Sequence, residues 1–245
     1  GHTKPIIKSF FNRSILIGFI LQNNGFLNIF APFLPAFGCK KRLILQHLIY
    51  AVMLGLKLAT DPRWVNIVES NIEEILTDHA WCEQKAASNA ISLITYNSEL
   101  EELVTEMLVI AREELEHLQM VHNVIKKRGL TLGRERKGHY VNELFKFMKK
   151  DGSRKDALCE RLLFSAMIEA RSCERFKVLS ENIKDPELAK FYRDLMISEA
   201  GHYTTFLGFA RKYADNVDVD KRWKEWIEYE GSIITNYGKS ETVHG

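Results

Sequence analysis

Apolar residues recur every three or four positions along most of this chain, which is the spacing of amphipathic helices. With Asp-Pro pairs and glycines as boundaries, the pattern predicts long helices near residues 62–96, 99–128, 155–182, 186–213 and 221–236. A shorter amphipathic helix is predicted around Val141–Lys149. Strand signals are weak throughout, so we expect an all-α protein.

Four of the long helices are predicted to pair into two hairpins. Ser98-Glu99-Leu100-Glu101 has the pattern of a capping box that opens the second helix. Asp185-Pro186 has the residues of an N-cap and a first helical turn. A crossover of about 25 residues joins the hairpins, as in bundles whose chain passes from one hairpin to the next.

Acidic residues and histidines interrupt the apolar stripes of these helices. Glu114-Leu-Glu-His117 and Glu199-Ala-Gly-His202 are two Glu-x-x-His sequences. Residues three apart lie on one face of a helix, so each pair can bind a single ion. Each pair also follows, about thirty residues later, a lone glutamate in an apolar stripe, namely Glu83 and Glu169.

Positions along the chain support this grouping. Antiparallel helices bring together residues that are equally distant from the connecting turn. The midpoint between Glu83 and Glu114 falls between Ser98 and Glu99, and the midpoint between Glu169 and Glu199 falls at Lys184. Both midpoints coincide with predicted turns, so each hairpin should hold its glutamate and its Glu-x-x-His pair at one level.

Buried carboxylates without a cation would cost several kcal/mol each, which favours a metal pair. Two Glu-x-x-His pairs and two single glutamates are the ligand set of di-iron four-helix bundles. Oxygen and imidazole donors without thiolate suit iron or manganese. We therefore predict a ferritin-like four-helix bundle with an additional C-terminal helix and a metal centre that activates dioxygen. Its six ligands are Glu83, Glu114, His117, Glu169, Glu199 and His202.

Some neighbouring residues have other interpretations. Glu174 is an alternative to Glu169, although its spacing to Glu199 breaks the symmetry of the hairpin. Glu113 is expected to be a solvated or ion-paired surface residue. His79, one turn before Glu83, is expected to be a hydrogen-bonded core histidine, with a supporting role beside the metal as the alternative.

The residues around these ligands resemble those of the MiaE-type tRNA hydroxylases. The resemblance runs from about Met53 to Tyr229, and its clearest segments are His79–Ala87, Ala111–His117, Ile168–Phe176 and Ser198–Tyr203. It implies a ferritin-like di-iron monooxygenase that hydroxylates the isopentenyl group of (2-methylthio)-isopentenyladenosine beside the tRNA anticodon. It also implies the same six ligands, two iron ions and dioxygen as co-substrate.

Other functions remain open for such a site. A ferritin-like iron-binding protein or ferroxidase is one alternative, and a di-iron hydroxylase of a small lipid-like molecule is another. Since the sequence has no glycine-rich nucleotide-binding motif, we expect electrons from a separate reductase. The oligomeric state stays open.

Charge is distributed unevenly along the chain. Seven of the 34 Lys and Arg lie in residues 1–60, which hold no Asp or Glu, so the rest of the chain is net acidic. Residues 1–52 are expected to be an apolar, basic extension without catalytic importance, and residues 53–245 the hydroxylase domain. Polar residues interrupt the apolar runs of the extension, so no stable membrane association is expected, although a surface anchor is the alternative.

An acidic enzyme needs a local basic surface to bind tRNA. The best candidate lies at the end of the second helix and in the crossover, with a solvated helix end as the alternative. Its residues are Lys126, Lys127, Arg128, Arg134, Arg136 and Lys137. A weaker candidate consists of Lys221, Arg222 and Lys224 with two tryptophans on which a base would stack, Trp223 and Trp226, and core packing of the tryptophans is the alternative. The four cysteines lack metal-binding or secreted-scaffold spacing, so a reduced, cytoplasmic protein is expected.

Overall fold

The computed structural model describes residues 54–135, 138–237 and 243. In these ranges the protein is helical, and no strand occurs there. The helices are α1 (Trp64–Ser70), α2 (Ile72–Tyr96), α3 (Glu101–Lys127), α4 (His139–Phe147), α5 (Arg154–Asn182), α6 (Pro186–Tyr213) and α7 (Val219–Tyr237). The expected division at residue 52 falls outside the described residues.

The bundle consists of two helical hairpins. Helices α2 and α3 pack against each other along their length, and so do α5 and α6. The chain turns at residues 97–100 in the first hairpin and at residues 183–185 in the second. Helices α4 and α7 pack on each other and on α5, outside the hairpins. The predicted all-α, ferritin-like bundle with a C-terminal helix is confirmed.

Two details of the first hairpin differ from the prediction. The first predicted helix is split at Asn71, whose φ of −137° is not helical and whose side-chain amide donates to the carbonyl oxygen of Ile67. The predicted capping box at Ser98 is wrong. Helix α3 begins at Glu101 behind Leu100, and no side-chain cap hydrogen bond is made there.

The start of the second hairpin is fixed by side-chain caps. Ser153 and Asp156 form a reciprocal capping box at α5. Asp185 accepts hydrogen bonds from the backbone N–H groups of Glu187 and Leu188 at the start of α6, with Pro186 in the first turn. Asp185 also pairs with Arg128 just after α3, at 2.6 Å. One aspartate therefore both starts α6 and ties the two hairpins together.

Helix α5 is buried over most of its circumference because α6, α7, α4 and α1 all contact it. Its buried charges are matched by opposite charges. Arg171 bonds Glu230 of α7 through two nitrogens, at 2.7 and 2.9 Å, and also bonds Glu174. Arg222 of α7 bonds Glu160 in the same two-pronged way. These pairs fix α7 on the back of the bundle.

None of the described helices combines the length and apolar character needed to cross a membrane.

Replacing Asp185 with Ala should lower the free energy of unfolding by about 1 to 2 kcal/mol, because the first turn of α6 loses its cap. Urea denaturation measures the change. Asp194→Ala is the matched control, since Asp194 lies in the middle of the same helix and pairs only with exposed Lys190 on that face. Equal losses for both variants would contradict the capping role.

Candidate metal centre

The four hairpin helices each bring a glutamate to one level in the centre of the bundle. Helix α2 supplies Glu83, α3 supplies Glu114, α5 supplies Glu169 and α6 supplies Glu199. All six predicted ligands are buried, with at most 7% of any of them exposed. The structure thus brings together every residue of the predicted set.

These side chains form two overlapping groups, and within each group one possible ligand atom per residue lies within 4.8 Å of the others. The groups are Glu83, Glu114, His117 and Glu199, and Glu114, Glu169, Glu199 and His202. Each therefore has one histidine and one glutamate of its own, and both share Glu114 and Glu199. Two neighbouring cations would fit this arrangement, with Glu114 and Glu199 within reach of both.

Both imidazoles turn the same nitrogen toward the carboxylates. His117 Nδ1 lies 3.3 Å from Glu114 Oε2 and 3.5 Å from Glu199 Oε1. His202 Nδ1 lies 2.8 Å from Glu114 Oε1 and 3.7 Å from Glu199 Oε2. The two rings are 5.9 Å apart between centroids. Each histidine thus faces carboxylates from both hairpins.

The charges of the cluster shift one another's protonation. Burial alone would raise the pKa of Glu83, but the adjacent His117 and His79 outweigh it and lower that pKa to about 2. Burial opposes protonation of His117, yet Glu114 and Glu83 raise its pKa to about 10. Burial, followed by the charges of Glu199 and Glu114, holds the pKa of Glu169 well above its usual range. The four carboxylates have only imidazoles, and no Lys or Arg, as ion-pair partners among the described residues.

The polar atoms inside the cluster are suited to a cation. Among the described residues, Glu114 Oε1, Glu199 Oε1 and His202 Nδ1 are buried and form no hydrogen bond, because even the 2.8 Å approach of His202 Nδ1 to Glu114 Oε1 lacks the angles of one. Such atoms are costly to bury unless an ion or a water satisfies them. Carboxylate and imidazole donors match iron or manganese, so the residues present fit a pair of such ions.

Two further side chains hold the cluster from outside. Glu113 Oε2 lies 2.9 Å from His202 Nε2, the ring nitrogen that faces away from the cluster. His79 Nε2 lies 2.5 Å from Glu83 Oε1, and its ring packs 4.8 Å from that of Phe176. A carboxylate behind a ligating histidine fixes its tautomer and orientation. His79 is thus both a core histidine and a support for Glu83.

Glu113 illustrates what the sequence prediction missed. It was expected at the surface or in an ion pair, and it is partly exposed, yet its partner is a histidine of the other hairpin. The only indication in the sequence of a role at the site is that Glu113 is adjacent to Glu114. Glu174, the alternative to Glu169, is not in the cluster, because it bonds Arg171 and accepts hydrogen bonds from the backbone and side chain of Thr60.

A cavity of about 110 Å³ leads toward the cluster between α2 and α5, beside the start of α4. Its wall is mostly apolar, with Ala86, Phe164 and Ile168 among the lining residues, and Glu169 belongs to it as well. A second space of about 20 Å³ shares Glu169 and continues to Glu83 and Glu199. Buried Val243 lines that smaller space. The two spaces together connect the α2–α5 side of the bundle with the carboxylates.

The four described residues of the predicted basic surface differ in their exposure and in their ion pairs. Lys126 and Arg134 are exposed, whereas Lys127 pairs with Glu187 and Arg128 with Asp185. Arg136 and Lys137 lie outside the described residues.

The residues of the weaker candidate on α7 also differ in their exposure, since Lys221 and Lys224 are exposed whereas its other three residues are not. Arg222, Trp223 and Trp226 are all buried, because Arg222 bonds Glu160 and the tryptophans pack in the core. They offer no aromatic surface on which a base can stack.

Comparisons with known proteins agree with this site. The model of the family described as tRNA-(MS[2]IO[6]A)-hydroxylase (MiaE) matches residues 47–245. A protein of Pseudomonas putida named tRNA 2-(methylsulfanyl)-N(6)-isopentenyladenosine(37) hydroxylase is 40% identical over 161 residues, 65% of this chain and 77% of that protein. A protein of the same name from Salmonella typhimurium is 29% identical over 143 residues, 58% of this chain. The chain spans about half of that relative, 52% of its length.

Among solved structures, a similar fold occurs in a Synechococcus protein described as having aldehyde deformylating oxygenase activity. The TM-score is 0.71 at 28% sequence identity, over 78% of this chain and 95% of the other. The family match, the Pseudomonas relative and the two Glu-x-x-His hairpins lead to one conclusion: this chain belongs to the MiaE family of tRNA hydroxylases.

Proposed function

We propose that this protein is a di-iron monooxygenase that hydroxylates the isopentenyl group of (2-methylthio)-isopentenyladenosine beside the tRNA anticodon. The observation that carries the proposal is the pair of overlapping carboxylate–histidine groups in a chain of this family. The names of the Pseudomonas and Salmonella relatives supply the substrate class.

The six buried side chains are the proposed ligands of two iron ions. Glu83 and His117 serve one ion, Glu169 and His202 serve the other, and Glu114 and Glu199 are shared. Bound there, the irons supply the activation of dioxygen and the insertion of one oxygen atom into a C–H bond. Glu113 and His79 position His202 and Glu83 from outside the cluster.

Electrons have to come from a donor. Hydroxylation places one oxygen atom of dioxygen in the product and reduces the other to water, which consumes two electrons and two protons. A separate reductase is the proposed source. We place the reaction in the cytoplasm, where the tRNA substrate is available and thiols such as Cys82 and Cys173 stay reduced.

The α2–α5 cavity is the proposed site of the isopentenyl group. Its apolar wall ends at Glu169, so a five-carbon chain that fills it brings its carbons next to the cluster. Burying five carbons contributes about 4 kcal/mol at roughly 0.8 kcal/mol each. This offsets the few kcal/mol needed to unstack the base, which has to leave the loop to reach the irons.

The basic surface of α3 and the crossover is the proposed tRNA contact. Exposed Lys126 and Arg134 are available to phosphates. On tRNA binding, Lys127 leaves Glu187 and Arg128 leaves Asp185, and each binds a phosphate instead. Arg136 and Lys137 complete the proposed set.

A di-iron hydroxylase of a small lipid-like molecule is the second candidate. The similarity of fold to a protein with aldehyde deformylating oxygenase activity favours it, as does the small apolar cavity. Family membership favours the tRNA substrate.

Iron-loaded protein supplied with hydrogen peroxide, which replaces dioxygen and the reductase, should add one oxygen atom to the modified adenosine of isopentenylated tRNA. Mass spectrometry of the digested nucleosides measures the gain, and tRNA without the isopentenyl group is the control. Unchanged isopentenylated tRNA from protein that holds two irons per chain would reject the tRNA reaction and leave the small-substrate candidate.

Glu114→Ala should abolish binding of about two irons per chain, because both cation positions lose a shared carboxylate. Iron is counted after gel filtration of the loaded protein. Glu116→Ala is the matched control, since Glu116 is exposed on the same helix and lies 3.9 Å from Arg112. Full iron content in Glu114→Ala would exclude the proposed ligand set.

Glu113→Gln should weaken iron binding roughly 10- to 100-fold, because His202 loses the carboxylate that orients its ring. Titration with ferrous iron gives the dissociation constants, with exposed Glu106→Gln on the same helix as control. An unchanged dissociation constant for iron would mean that Glu113 does not orient His202 for iron binding.

A further inference from the structure

The crossover segment after α3 lies along one stripe of α2. The backbone N–H of Thr131 donates to Glu73 at 3.0 Å. The N–H of Gly133 donates to Thr77 Oγ1 at 3.2 Å, and its carbonyl oxygen accepts from the indole N–H of Trp81 at 3.0 Å. Finally, Glu135 pairs with Lys85 at 2.8 Å. The four α2 partners are Glu73, Thr77, Trp81 and Lys85, each four residues after the last, so they form one face of the helix.

Close packing fixes this segment in place. A Cβ atom at Gly133 would lie 3.2 Å from Thr77 Cγ2, which is tighter than ordinary contact, so glycine permits the approach. Leu132 packs against the hydrophobic core. Arg134 and Glu135, between these anchors and Gly138, are exposed. The segment therefore delivers charged side chains to a defined place on α2.

That place is the entrance of the α2–α5 cavity. Lys85 and Gly138 both line the cavity, together with Asn89. Lys85 follows Cys82 by one helical turn, and Cys82 lies with Glu169 at the inner end of the same cavity. Lys85 is the one basic residue among the described residues that line the space we assign to the isopentenyl group, and its partly exposed side chain places its ammonium at the solvent side of that space.

The Lys85–Glu135 ion pair is easily exchanged. The side chains are 42% and 54% exposed, and exposed ion pairs contribute only about 0 to 1 kcal/mol. When the isopentenyl group fills the cavity, the ribose and phosphates of the same nucleotide have to remain at the mouth. A phosphate there attracts Lys85 and is repelled by Glu135.

We propose that Lys85 binds a backbone phosphate next to the reacting nucleotide, and that Glu135 occupies Lys85 until the RNA displaces it. This inference rests on the proposed function. It makes Lys85 a positioning residue for the substrate and Glu135 an acidic competitor that weakens binding of any RNA whose phosphate has to reach Lys85.

The test compares binding of an isopentenylated anticodon stem-loop to Lys85→Met, Glu135→Gln and the double variant of the iron-loaded protein. Lys85→Met should weaken binding about 5-fold and lower the slope of log affinity against log salt by about 1. Glu135→Gln should tighten binding about 3-fold, an effect that should vanish in the Lys85→Met background because the two residues share one interaction. Hydroxylation of the free nucleoside, which has no phosphate, is measured with the wild-type protein and reports on the reaction without the RNA backbone.

Lys190→Met is the matched control, because Lys190 is an exposed lysine in an ion pair with Asp194 on α6. If Lys85→Met weakens binding no more than this control, or if Glu135→Gln tightens binding equally with and without Lys85, the proposal is overturned. Failure of the proposed function can be distinguished from failure of the role proposed for Lys85. Wild-type protein that leaves both the stem-loop and the nucleoside unmodified contradicts the proposed function, whereas hydroxylation of both with unaltered binding by Lys85→Met contradicts only the role of Lys85.

Discussion

Burial of four glutamates at one level of the bundle is the constraint on which the rest of this structure depends. Each hairpin has to keep its two helices in register, since a shift of one residue would rotate a carboxylate by about 100° away from the centre. The short turns at residues 97–100 and 183–185 and the cap at Asp185 hold that register. The register in turn places His117 and His202 against carboxylates of both hairpins.

The protein contains a second set of buried charges, and the contrast between the two sets is informative. Around Arg171, the carboxylates of Glu230 and Glu174 are bonded directly to a guanidinium, and Arg222 matches Glu160 in the same way. Those groups satisfy one another and fix α7 and the residues before α1 on α5. In the central cluster, by contrast, no Arg or Lys among the described residues pairs with the four carboxylates, which face the imidazoles of His117, His202 and His79, and several atoms there form no hydrogen bond. The lack of a guanidinium or ammonium partner distinguishes the site from the structural network.

The cavity beside the cluster combines charged and apolar lining residues. Lys85, which pairs with Glu135, lines it together with Phe164, Ile168 and Glu169. This combination suits the proposed substrate, which has an anionic backbone and an apolar substituent. Helix α5 contributes to both the cluster and the cavity. It supplies Glu169 to the cluster, and Phe164, Ser165 and Ile168 line the cavity.

The sequence by itself determined the helices, the pairing into hairpins and the six residues that meet in the centre. Those features follow from helical periodicity and from distance to a turn, which are properties of local backbone geometry. Tertiary structure decided that Glu114 and Glu199 are common to both groups, that Glu113 supports His202, and that Glu135 reaches Lys85. It also decided that Glu174 bonds Arg171 instead of joining the cluster. These contacts depend on how each helix is rotated and which side chains meet between segments distant in the chain, and a periodic pattern carries no information about either.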